Sequence, residues 1–174
     1  MSARTRLSTA LRASVRPVAL AGGLMLAGTA AGRPDDPAYY RSLRQASYAP
    51  PPAAFGPAWA IAKLGWSVAT LRAARTVPGP DRGRLLALAA VDAAVYVSFS
   101  YAYFRRRSPV LAAAWTATDA VVTAAALPLL ARHDRVAAAA LLPQAAWLGL
   151  ATPVAVHQAR ANPDPIFGKR FVSL

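Results

Sequence analysis

The sequence predicts an all-α fold, an integral membrane bundle of five transmembrane helices, and three observations lead there. Only 16% of the residues are charged and 56% are hydrophobic, against about 25% charged in ordinary soluble domains. The charge falls in clusters between long apolar runs. Those runs lack the polar residue at every third or fourth position that the outer face of a soluble helix carries.

Taken in order, the first span is 13–32, whose core PVALAGGLMLAGTAAG is uncharged. It reaches the ~20 residues a crossing needs when Arg16 snorkels to the interface. Its basic start and small residues also suit a secretory signal, whose cleavage would leave four spans. Gly22, Gly23, Gly28 and Gly32 let helices approach closely, so a retained helix is the reading adopted. The second span, 50–71, is interrupted only by Lys63, the third, 85–104, only by Asp92, and the fourth, 108–131, only by Asp119. The fifth, 136–159, has no charge, with His157 near its end. The expected organisation is a basic tail at 1–12, a transmembrane domain at 13–160 and a C-terminal tail at 161–174. The joints fall at 33–49, 72–84, 105–107 and 132–135.

A net charge of +13 raises the question of nucleic acid. Nucleic-acid binding gathers basic charge on one face, whereas here arginines occupy every joint, so the expected surroundings are lipid and not nucleic acid. The two sides of the membrane receive nearly equal basic charge, so the positive-inside rule does not orient the chain. No cysteine is present, which removes disulfides and thiolate chemistry. With His133 and His157 as the sole histidines, no metal site is expected. No Ser-His-Asp order or phosphate-binding glycine loop appears, so no catalytic residue, cofactor or enzymatic activity is expected.

Asp92 and Asp119 stand out. A carboxylate at a helix centre costs at least ~2.5–3.5 kcal/mol on insertion scales, so each should face a cavity or a partner, and Lys63 is the available intramembrane cation. Structural pairing and a ligand or proton role both remain open. Helical spacing puts Trp115, Thr116, Val122 and Thr123 on the side of Asp119, which predicts that this stripe points into the bundle.

The stretch YAPPPAAFGPAW at 48–59 carries four prolines. Proline fixes φ and extends the residue before it, yet suits a first helical turn. It therefore reads as a rigid entry into the second helix. The loop before it holds Tyr39, Tyr40, Leu43 and Tyr48 and looks like a lid.

These residues resemble the translocator protein family, also called TspO/MBR or tryptophan-rich sensory proteins, in a divergent bacterial-type form. The resemblance rests on Tyr39-Tyr40, Leu43, Tyr48, Pro51-Pro52, Phe55-Gly56-Pro57 and Trp59 in register. Pro143, Trp147 and Ala151-Thr152 on the fifth helix add to it, and FSYAYF at 99–104 adds more weakly. Departures are Gln45-Ala46 for a lysine-proline pair, Tyr96 and Ala155 for asparagines, Phe99 for a tryptophan and Gln144 for a tyrosine. A cholesterol-motif tyrosine is missing near 150–160. The resemblance implies a receptor or transporter-like membrane protein with a pocket for a flat hydrophobic ligand, a porphyrin or haem, under the 33–49 loop. It implies Tyr40, Trp59, Tyr96, Phe99, Trp147 and Ala151 as lining and admits a homodimer, with Arg41 or Arg44 meeting ligand carboxylates. The competing readings are a structural or interaction membrane protein with a degenerate pocket, and a small-solute or proton-coupled carrier using the aspartates.

Overall fold

The computed structural model describes residues 3–31 and 37–168, and the side chains of 15–30 and 38–168. Positions 1–2, the loop start at 32–36 and the tail end at 169–174 lie outside the described residues. Among the described residues, five long helices and one short one follow in order: α1 (Ala3–Ala31), α2 (Pro37–Ser42), α3 (Pro52–Thr76), α4 (Gly79–Ser100), α5 (Pro109–His133) and α6 (Arg135–Ala161). A π-helical turn, Tyr101–Arg105, extends α4. Among the described residues, three segments are long and apolar enough to cross a membrane: Gly79–Arg105, Pro109–His133 and Arg135–Ala161. Within α1 a shorter apolar stretch runs Val15–Ala30.

Each helix begins where the local chemistry dictates. Pro52 sits in the first turn of α3, with Pro51 held extended before it. Ser108 accepts a hydrogen bond from the Leu111 N–H, and Pro109 opens α5. Asp134 accepts from the Val136 and Ala137 N–H groups and opens α6, satisfying donors that a helix start otherwise leaves unpaired.

Several joints are tighter than the sequence reading placed them. The expected 72–84 joint shrinks to Val77–Pro78, because α3 runs on through Arg72 and Arg75 while α4 starts at Gly79, whose φ is +58°. The 132–135 joint is the single residue Asp134. The expected tail 1–12 is helical from Ala3. Charged residues mark where a helix leaves the apolar slab, but do not stop the helix.

The long helices close a ring: α1 packs on α3 and α4, α3 on α6, α6 on α5, and α5 on α4. At Gly65, α3 and α6 approach so closely that a Cβ would stand 2.1 Å from the Ala140 carbonyl oxygen. One end of the ring is filled by a cluster including Trp66, Ala73, Leu85, Ala126, Leu130 and Leu141. Polar staples close it: Arg72 Nε donates to Asp134 at 2.9 Å, Thr76 Oγ1 to Asp134 at 3.0 Å, and His133 Nε2 lies 3.0 Å from Asp81. The other end is hollow.

Candidate functional site

The hollow end is a cavity of about 310 Å³ with walls from every long helix. Met25 and Thr29 come from α1, Phe55 and Trp59 from α3, Tyr96 and Phe99 from α4, Trp115 and Asp119 from α5, and Ala151, Ala155 and Gln158 from α6. Of the six residues expected as lining, Tyr40, Trp59, Tyr96, Phe99 and Ala151 are there. Trp147 is not in the lining. It stands behind the wall, edge-on to Phe55 at 5.3 Å and to Trp59 at 6.1 Å, because a residue four positions before Ala151 is one turn further round and down α6. Trp59 also packs on Tyr96 (5.7 Å) and Phe99 (6.5 Å), so one indole gathers the wall.

The roof is the 33–49 loop, and α2 gives it structure. Tyr40 is buried against Phe55 at 5.2 Å, and its hydroxyl donates to the Pro50 carbonyl at 2.9 Å. The loop is pinned from the far end of the chain. The Arg44 N–H donates to Asn162 Oδ1 at 2.8 Å, and Asn162 Nδ2 donates back to the Arg44 carbonyl at 3.1 Å. Beneath, the Tyr103 hydroxyl donates to Gln158 (2.8 Å), Gln158 donates to Gln45 (2.8 Å), and Gln45 donates to the Tyr40 carbonyl. Gln45 thus joins an uncharged hydrogen-bonded chain across the mouth. Arg41 and Arg44 are exposed and do not line the cavity.

The floor is charged. Lys63 is fully buried, with Nζ 2.6 Å from Asp92 and 3.8 Å from Asp119. Its ammonium also lies over the rings of Tyr96 (4.9 Å) and Trp59 (5.4 Å), the geometry of a cation–π contact. Gln144 Nε2 donates to Asp92 at 2.7 Å and lies 3.1 Å from Thr123 Oγ1 and 3.3 Å from Asp119. Thr116, Val122 and Thr123 are buried on the face of α5 that carries Asp119, as helical spacing predicts.

The family model described as TspO/MBR matches residues 15–160. The chain belongs to the TspO/MBR family. Comparison with curated proteins gives no match. As a TspO/MBR protein with three long apolar helices it is an integral membrane protein.

Reading the sequence missed Gln144 and Gln158 as working residues of this TspO/MBR chain. The signal was present: both lie on one buried stripe of α6 with Leu148, Ala151 and Ala155, and in an otherwise uncharged span an amide must find partners. Gln144 was noted only as a departure from a tyrosine. Phe55, Tyr103 and Trp115 also line the cavity. Tyr103 turns in on the π-helical turn, closed by the Arg106 N–H donating to the Tyr101 carbonyl at 2.9 Å, a geometry that periodicity does not reveal.

Proposed function

We propose that the protein is a membrane receptor or carrier that takes a flat hydrophobic ligand of the tetrapyrrole class into this cavity. In this reading α1, α3, α4, α5 and α6 all cross the bilayer, and 13–160 is the transmembrane body. The carrying observation is the aromatic wall gathered by Trp59, with Tyr96 and Phe99 beside it and Tyr40 above. Aromatic pairs contribute about 0.5–1.5 kcal/mol each beyond burial, so a planar ring gains more here than an aliphatic ligand of equal area. The volume sits at the low end of the roughly 300–1,000 Å³ typical of small-molecule sites. A macrocycle would therefore enter edge-first and leave its carboxylate rim at the mouth, where Arg41 and Arg44 meet it as charge-assisted donors.

The test is quenching of tryptophan fluorescence when protoporphyrin IX is added to purified protein in detergent. Saturable quenching is expected, with Trp59→Ala weakening binding by roughly tenfold, or about 1.4 kcal/mol. Quenching that does not saturate, or that Trp59→Ala leaves unchanged, would leave a structural membrane protein with a degenerate pocket as the better reading. A proton-coupled carrier has its own supporting observation in the buried Lys63–Asp92–Asp119 layer.

A further inference from the structure

A second, smaller cavity, about 210 Å³ and open on one side past Leu20 and Leu86, lies on the other side of the charged layer. Its walls are Leu20 and Leu24 of α1, Trp66, Ser67 and Thr70 of α3, and the Leu86–Ala93 stretch of α4, including Asp92. The same helices line the first cavity at a different level, with Met25 to Thr29, Pro52 to Trp59 and Val95 to Phe104. The two cavities are stacked along the bundle, and the layer separates them. Asp119 lines the first and Asp92 the second.

The layer has an excess of acceptors. Among the described residues it sets one ammonium against two carboxylates, both within reach of the single Gln144 nitrogen. Asp119 Oδ2 and Gln144 Oε1 are buried without a hydrogen-bond donor. A proton shared between the two carboxylates that Gln144 bridges would supply a missing donor. The other titratable groups facing the pair are Lys63 of α3 and Tyr96 of α4, whose ring Lys63 covers. α5 and α6 add the uncharged Thr123 and Gln144, and the α1 residues in the two walls are uncharged. On the second-cavity side, Trp66 Nε1 and Ser67 Oγ are buried without hydrogen-bond partners among the described residues. With Thr70 and Asp92 in the same wall, they offer the polar partners that a water of about 30 Å³ needs.

We propose that Asp119 and Asp92 form a proton relay joining the two cavities across the middle of the membrane. The proposal rests on the carrier reading and is independent of tetrapyrrole binding. A hydronium ion in the first cavity gives a proton to the Asp119 carboxylate and is left as water. The resulting acid passes a proton across the Gln144-bridged pair to Asp92, and Asp92 releases it to water in the second cavity. Only O–H bonds form and break, and Lys63 takes no part in the transfer. The imposed proton gradient is the sole driving force.

The experiment uses the full chain in sealed vesicles containing the pH-sensitive dye pyranine, with valinomycin and potassium to balance charge. A pH step should decay several-fold faster than in protein-free vesicles, and Asp92→Asn or Asp119→Asn should each return the rate to the protein-free value. A wild-type rate equal to that of protein-free vesicles overturns the relay, as does a fast rate kept by both variants. Should the variants fail to insert, infrared spectra of the wild type decide. A protonated-carboxyl band that shifts on transfer to D2O supports the relay, and its absence overturns it. Porphyrin quenching measured on the same samples reads the first cavity separately, so each idea can fail alone.

Discussion

Lys63 shows how a single residue sets the terms for its neighbours. Inside the bundle its ammonium is bonded to Asp92, lies near Asp119 and faces two aromatic rings. Removing one partner of a buried ion pair costs about 3–5 kcal/mol, because the remaining charge stays uncompensated. Lys63→Met should therefore lower stability by that order in a detergent unfolding titration, with two aspartates left facing each other. Replacing Lys63, Asp92 and Asp119 together by apolar residues of similar size should restore much of the loss. A triple variant no more stable than Lys63→Met would show that the layer is not an electrostatic unit. The sequence made Lys63, Asp92 and Asp119 visible because each interrupts an apolar run. It did not single out Gln144, which binds both aspartates, because an amide carries no charge and its role depends on how α6 is rotated against α4 and α5.

At the scale of elements, α3 and α6 meet at Gly65, and the terminal segment 162–168 holds the start of α5 and the loop. Gly65→Ala places a methyl against the backbone of Ala140, and backbone cannot swing aside as a side chain can. The helices must separate, so a loss of about 1–3 kcal/mol, the usual range for overpacking, is expected in the same titration. Asp164 is the centre of the terminal segment. It accepts from Ser108 Oγ at 2.6 Å and from the N–H groups of Val110, Ile166 and Phe167. Partial burial works to raise its pKa, but these donors outweigh burial and hold the carboxyl below its ordinary value. A lowered folded-state pKa means the stabilisation is complete above the unfolded carboxylate value, about 3.9, and disappears as pH falls through the folded value. The segment should thus stay docked at neutral pH and release only in strong acid. Limited proteolysis near Pro165 should show this, and Asp164→Asn should make the segment cleavable at pH 7. The helices themselves were largely legible, since apolar runs locate α3 to α6, with proline starts marking α3 and α5, although α3 ends later and α4 begins earlier than the runs suggest. The short joints were not, because arginines at helix ends look like loops until the staples between Arg72, Asp81, His133 and Asp134 are seen.

Across the whole molecule, the apolar cluster and the larger, aromatic cavity lie at opposite ends of the bundle, with the smaller cavity beside the cluster. Trp66, Leu85, Leu130 and Leu141 fill one end, the charged layer crosses the middle, and the aromatic cavity occupies the other end beneath a loop pinned to Asn162. Bundle stability and ligand affinity should therefore depend on different residues. Leu141→Ala leaves a cavity in the filled end and should cost about 2–5 kcal/mol of stability, while the ring wall around Trp59 is untouched and porphyrin affinity stays within twofold or so, under about 0.5 kcal/mol. Pro51→Ala with Pro52→Ala acts at the opposite end. Added chain freedom before α3 loosens the approach to Tyr40, whose hydroxyl bonds the Pro50 carbonyl. Porphyrin should leave faster in stopped-flow displacement, with unfolding and membrane insertion unchanged. If the proline pair instead destabilises the bundle as much as Leu141→Ala does, the entry to α3 belongs to the fold and not to a lid. If Leu141→Ala also abolishes binding, the two ends are coupled through the Lys63 layer, and the cavity depends on the filled end for its shape.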